Sequence, residues 1–222
     1  MMSRSDSANR TFLRRRSTRT PIAKVLVVTE GEKTEVTYFQ ECAKDLNISR
    51  YVKVTHNPDG PTPDKVLEYA LVLRKNESRR GSPYDEVYCV MDQDRHSAFV
   101  CTLKEIKQLQ KKGERIQAIA SYPSFEYWLL LHYEYTRRTF EKEGNRSAGD
   151  CVVTSLKRYW SDYEKCCKNI YGHLKDKLPT ALKHAQRARK DATATQELNP
   201  STDVDCLVGR LHDLAGVSVD VQ

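Results

Sequence analysis

The sequence predicts an α/β fold: a mainly parallel sheet flanked by helices, with a helical C-terminal layer. Three observations predict it. Val25, Leu26, Val27 and Val28 form an uninterrupted, mostly β-branched apolar run, the pattern of a strand buried on both faces in a parallel sheet. From Ile22 to Tyr135 such runs alternate with helical patterns, which implies parallel strands joined by right-handed crossovers. After Tyr135 no clear strand pattern follows and helical segments take over.

The first strand covers roughly 24–29, and Gly31 breaks it before a helix over roughly 34–46. That helix spaces Val36, Phe39, Cys42, Ala43 and Leu46 by three and four, so one face is apolar. Residues 51–56 alternate and predict an edge strand with one open face. The cluster Asn57-Pro-Asp-Gly-Pro61 is a turn, after which Thr62 and Pro63 supply an N-cap and a first helical position for a helix to about Lys75. A polar loop over Asn76–Pro83 leads to a third strand, 86–91, which ends in Asp92-Gln-Asp94. A helix near 98–112 stops at Gly113, and a fourth strand, 116–120, runs into Ser124, the expected cap of a helix from Phe125 to about Tyr133. Residues 137–149 predict a loop. Helices are expected over 150–159, 163–171, 179–192 and 202–214, with Asn199-Pro-Ser-Thr202 as a capping turn.

These elements divide the 222 residues into a basic tail over 1–21, an α/β core over 22–135 and a helical extension over 136–222 packed on the core. The net charge of +7 belongs largely to the tail. Six arginines against Asp6 give residues 1–20 a charge of +5, leaving +2 for the other 202 residues. The tail is poor in apolar residues and is expected to be disordered. Its Arg14, Arg15 and Arg16 read either as a phosphate-attracting cluster or as a solvated tail. No run is long enough for a membrane span, and the N-terminus lacks the apolar core of a signal peptide, so a cytoplasmic location is expected. Seven cysteines, an odd number without a CxxC pair, argue against a disulfide framework or a zinc site. Most are expected to be buried, reduced fillers.

The chemistry gathers at strand ends. Glu30 ends the first strand, Asp92 ends the third with Asp94 two residues on, and Glu126 lies just past the fourth. In open α/β sheets ligands bind at the carboxyl ends of strands. If these strands are neighbours, the four acids share one rim, and in an extended segment Asp92 and Asp94 address one centre. Unpaired carboxylates that close repel, and some take up protons unless a cation sits among them. Mg²⁺ or Mn²⁺ is the natural choice for an all-oxygen set. Glu35 and Glu126 also fit a plainer role, as first-turn acids that complement a helix dipole. Lys33 reads as a phosphate contact or as a solvated side chain.

Two neighbouring motifs do not apply. Gly31-Glu-Lys-Thr34 resembles the end of a P-loop, but that loop needs glycine directly before the lysine, and Glu32 stands there. Phosphatases with an Asp-x-Asp nucleophile place it after the first strand, whereas here it follows the third.

The stretches Val27-Val-Thr-Glu-Gly-Glu-Lys-Thr-Glu35, Val90-Met-Asp-Gln-Asp94 and Tyr122-Pro-Ser-Phe-Glu-Tyr-Trp-Leu-Leu-Leu-His132 resemble the RloB family, as does Asn199-Pro-Ser-Thr-Asp-Val204. The resemblance runs roughly from Lys24 to Leu214. It implies a TOPRIM-like (Rossmann-like) fold and a prokaryotic protein encoded beside restriction or antiviral modules, sometimes with an ATPase partner. By the same resemblance, Glu30 supports metal binding or acts as general acid or base, and Asp92 and Asp94 bind Mg²⁺. Glu35 loosely matches a glutamate that helps hold a second metal in related nucleases. Arg95-His96-Ser97 stands where TOPRIM proteins usually carry a glycine, and the chain is too short for a topoisomerase tyrosine domain. Both departures argue against strand passage.

The expected function is therefore a metal-dependent nuclease acting on DNA or RNA. Glu30, Asp92, Asp94 and Lys33 would be catalytic. Glu35 or Glu126 would complete the metal set, and Arg79 or Arg80 would help hold phosphate. A non-catalytic module that binds nucleic acid or an ATPase partner is the alternative, and a nucleotidyl- or phosphotransferase using the same acids is a third reading.

Overall fold

A computed structural model describes residues 22–93 and 98–217. Five strands form one sheet: β1 Val25–Thr29, β2 Val52–His56, β3 Glu86–Asp92, β4 Ile116–Tyr122 and β5 Ser201–Thr202, in the order β2-β1-β3-β4-β5. The first four are parallel, and β5 pairs antiparallel with β4. Every residue of β1 is buried. Its side chains alternate between two cores: Val25 and Val27 face one, Leu26 and Val28 the other. Two-sided burial is what makes the run continuous in sequence. β2 is the edge strand, with Lys53 exposed between Val52 and Val54.

One sheet face is covered by α2 (Pro63–Arg79) and α3 (Ala98–Lys111), the other by α1 (Thr34–Asp45), α4 (Glu126–Leu130) and the C-terminal helices. Those are α5 (Ala148–Leu156), α6 (Ile170–Leu174), α7 (Leu178–Thr195) and α8 (Val204–Ala215). The layer shares its core with α1 and α4. Among the described residues no helix is long and apolar enough to cross a membrane.

Local expectations change in several places. α2 continues through Asn76 to Arg79, because no glycine or proline interrupts that charged stretch before Gly81. The expected helix over 163–171 is instead a turn-rich segment followed by α6. Buried Tyr163 and left-handed Asn169 (φ 59°) anchor it, and the Glu41 carboxylate accepts the Asn169 and Tyr171 backbone N–H groups. Ser201 and Thr202, read as a capping turn, form β5, where the Thr202 and Ser121 hydroxyls hydrogen-bond at 3.0 Å. In α1 the buried stripe is Thr34, Glu35, Tyr38, Phe39, Cys42 and Ala43, while Val36 and Leu46 are only partly covered. All seven cysteines are free. Cys42, Cys89 and Cys151 are buried, but Cys101, Cys166 and Cys206 are exposed, so most are not core fillers. Cys101, for example, lies on the outer side of α3, whose covered residues are Phe99, Thr102 and Ile106.

Candidate functional site

The pairing of β1 with β3 brings their carboxyl ends together: Thr29 lies beside Val90, and the Glu30 N–H donates to the Val90 carbonyl at 3.0 Å. Buried Glu30 reaches across the strand ends, and its Oε2 accepts the Asp92 N–H at 3.1 Å. The Asp92 Oδ2 accepts the Phe125 N–H at 3.2 Å, which ties the end of β3 to the turn before α4. Ser121, at the end of β4, is the register partner of Asp92, so the loop carrying Ser124 and Glu126 leaves the sheet on the same rim.

Glu126 is buried and does not act as a dipole complement in a long helix, since α4 has five residues. Its Oε2 accepts from the Ser124 hydroxyl at 2.7 Å, and its Oε1 from the Tyr163 hydroxyl at 3.4 Å. Ser124, expected to cap the helix, therefore donates to a carboxylate instead. The N-cap position falls to Phe125, and the carboxylate two residues from Ser124 gives its hydroxyl a charged acceptor. Lys165 brings its Nζ to 3.6 Å from Glu126 Oε1 while remaining largely exposed. The Thr34 hydroxyl holds the Lys165 carbonyl at 2.7 Å and so docks the segment before α6 onto the start of α1.

Glu35 turns its carboxylate back over Gly31, where a Cβ would collide with it. This close approach gives the glycine a structural reason. Glu30, Gly31, Glu32, Lys33, Thr34, Glu35, Pro61, Asp92, Glu126 and Lys165 line one cleft of about 280 Å³. Four carboxylates predicted from sequence thus share one cleft. Lys33 joins them, its Nζ 3.4 Å from the Cys166 Sγ. Arg80 does not, since it pairs with Glu77, which in turn pairs with Lys24 just before β1. Arg79 and Arg80 thus sit at the opposite rim of the sheet. Asp94, Arg14, Arg15 and Arg16 lie outside the described residues. Sequence reading missed Lys165 and Tyr163, which carry no motif. Ser124 was visible, but in another role.

The electrostatics are those of crowded acids. Burial pushes the Asp92 carboxyl well above the ordinary range, and the charges of Glu35, Glu126 and Glu30 push it further. Asp92 keeps part of its surface open to the cleft, but the protein packed around it is enough to desolvate the charged form. Glu35 is pushed up to about 7, first by burial and then by Glu126, against the backbone hydrogen bonds and Lys165 that lower it. Lys165 is held above the ordinary lysine value, chiefly by Glu126.

This arrangement predicts a pH effect. The folded chain holds the Glu35 proton more tightly than the unfolded chain does. Its contribution to stability is therefore complete below pH 4.5 and is lost as pH rises through about 7. The loss is about 3 kcal/mol on the order of the shift. The carboxyls of Glu77, Glu86 and Asp150 are lowered by their partners and titrate below that window. Burial lowers His132 to about 3 and lowers His212 as well, which favours the fold as pH rises over the same range. The check is therefore a difference: in a chelator the Tm of the parent relative to that of Glu35→Gln should be lower at pH 8 than at pH 5.

In donor type the cleft suits a hard divalent cation: the acids are all-oxygen ligands and repel one another without one. Among the described residues, however, no three His, Cys, Asp or Glu side chains are grouped so as to hold a metal ion. Glu30, Asp92, Glu35 and Glu126 are the residues that would hold it, after side-chain adjustment.

The family model for RloB-like proteins matches residues 25–211, from the first residue of β1 into α8. The chain belongs to the RloB-like family. Neither the comparison with curated proteins nor that with solved structures gave a significant match. The RloB-like match takes in all five strands and every cleft residue named above.

Proposed function

We propose that this RloB-like chain is a TOPRIM-type, metal-dependent nuclease that hydrolyses DNA or RNA phosphodiesters. The observation that carries the reading is the sharing of one cleft by Glu30, Glu35, Asp92 and Glu126 at the carboxyl rim of a parallel sheet, with Lys165 above them. Perturbed carboxyls in a cleft are a recurrent mark of catalytic sites. A Mg²⁺ or Mn²⁺ ion held by these acids would supply an activated water and neutralise charge at the scissile phosphate.

The chain's own groups take the remaining roles. Lys165 and Lys33 present ammonium groups to a phosphate entering the cleft. Glu35, at about 7 without a metal, would give up its proton as a cation binds. Glu30 fixes the end of β3 through the Asp92 N–H and could move a proton during the reaction. The resemblance in sequence extends the proposal to prokaryotic antiviral or restriction systems and to an ATPase partner.

The Lys165 ammonium, which offsets the Glu126 charge without a metal, favours a second reading, a non-catalytic module that binds nucleic acid or a partner. Incubation with Mg²⁺ or Mn²⁺ and single- or double-stranded DNA and RNA separates the two. Cleavage that a chelator stops supports the nuclease. Retained binding without cleavage of any substrate supports the module.

A further inference from the structure

Beside the cleft, the helical layer carries a cluster of aromatic and basic side chains that the acid chemistry does not use. Tyr133 and Tyr159 stack with ring centroids 5.3 Å apart and an 11° interplanar angle. Trp160 and His173 stack at 4.1 Å and 19°. The Tyr133 hydroxyl and His173 Nε2, 3.0 Å apart, tie the two stacks together. Tyr159 is 47% exposed. Tyr133 covers one of its faces, so its open surface is the other.

Cations line the same cluster. Lys177 Nζ lies 5.1 Å from the Tyr133 ring centre, and the Arg187 guanidinium lies 4.1 Å from that of Tyr135. Lys177 stands just before the first residue of α7, and His184 and Arg187 follow three apart within it. Residues 170–195 hold six lysines and arginines against two aspartates, a net +4, where all residues after the tail sum to +2. Part of that charge is already paired, Lys175 with Asp45, Arg187 with Asp191 and Arg189 with Asp205, whereas Lys177 stands over the Tyr133 ring.

The cluster is tied to the cleft inside the fold, through the fully buried Tyr163. Trp160 packs on Tyr163 at 5.2 Å, and the Tyr163 hydroxyl donates to Glu126. An exposed aromatic ring such as Tyr159 beside an ammonium group is what single strands use, bases stacking on rings while phosphates meet cations. Paired bases in a duplex have no free faces to offer.

We propose that Tyr159, backed by Tyr133 and flanked by Lys177, forms a stacking site for single-stranded nucleic acid on the helical layer that borders the acidic cleft. The inference deepens the nuclease reading, and rests on it, by naming a single strand as the substrate. Binding is measured in a chelator, by anisotropy of fluorescein-labelled oligo-dT and oligo-rU and of a matched hairpin duplex. Trp128 is fully buried, so quenching of tryptophan fluorescence reports Trp160.

Single strands should bind more tightly than the duplex and quench the fluorescence. Tyr159→Ala should weaken that binding about tenfold, the loss of one stacked base. Tyr159→Phe should restore it, since the ring remains and only the 2.8 Å bond to Glu134 is lost. Equal affinity for the Ala variant, tighter duplex binding, or a surface that takes up only a protein partner would overturn the stacking site. Hydrolysis of bis(p-nitrophenyl) phosphate with Mn²⁺, a substrate too small to touch Tyr159, separates the two readings. If it proceeds while Tyr159→Ala binds normally, the stacking site fails and the nuclease stands. If Tyr159→Ala weakens binding but no phosphodiester is cleaved, the nuclease fails and single-strand binding stands.

Discussion

Asp92→Asn is expected to lower cation-dependent cleavage by about a thousandfold, the scale seen when a principal charge-stabilising group is removed from a site. The substitution keeps the shape and the acceptor for the Phe125 N–H, so the turn before α4 stays in place. What it removes is a negative charge that Glu35, Glu126 and Glu30 oppose. The metal-free variant should therefore melt no lower than the parent, and higher at neutral pH. Rates with Mg²⁺ and melting curves in a chelator check both halves. A variant that cleaves normally would remove Asp92 from the chemistry. One that loses activity only because it unfolds would make Asp92 a structural residue.

Trp128→Ala should cost about 3–5 kcal/mol of stability, the range for truncating a buried aromatic side chain. Trp128 is fully buried and meets Tyr38 edge-to-face at 6.4 Å and His132 at 4.8 Å. It sits in α4, between the sheet and the helical layer, so the void has packed elements around it and limited room to collapse. Domains of this kind have about 5–15 kcal/mol in total, which makes the loss a large share. Urea unfolding followed by circular dichroism should show a lower midpoint with an unchanged slope. A loss below about 1 kcal/mol would mean that the layer closes over the gap.

How much of this was legible in sequence follows from the range of the forces involved. β1 was legible because burial on both faces leaves four adjacent apolar residues. Glu30 and Asp92 stood out because each ends such a run. Their shared rim followed from parallel connectivity, and the strand order confirms that β1 and β3 are neighbours. Lys165 was not legible. It reaches the cleft only because Thr34 and Glu41 dock its segment across more than a hundred residues of chain. Nothing in its local pattern encodes that contact. β5 escaped because two residues carry no periodicity, and its pairing depends on β4 being present. The hydroxyl of Ser124 was assigned to a helix end because capping is a local rule. The buried carboxylate that captures it is a product of the fold. Arg79 and Arg80 were expected near phosphate, but α2 runs back along the sheet and carries them to the far rim.

Calorimetric titration of Mn²⁺ at pH 7 tests the central claim most directly, that acids distant in sequence serve one divalent ion. The account predicts a saturable binding event that both Glu30→Gln and Asp92→Asn weaken or abolish. It also predicts proton release, seen as a heat that varies with the buffer, because Glu35 sits near 7 and must lose its proton to become a ligand. Mn²⁺ binding that survives both substitutions, or no binding at any concentration up to the millimolar range, would contradict it.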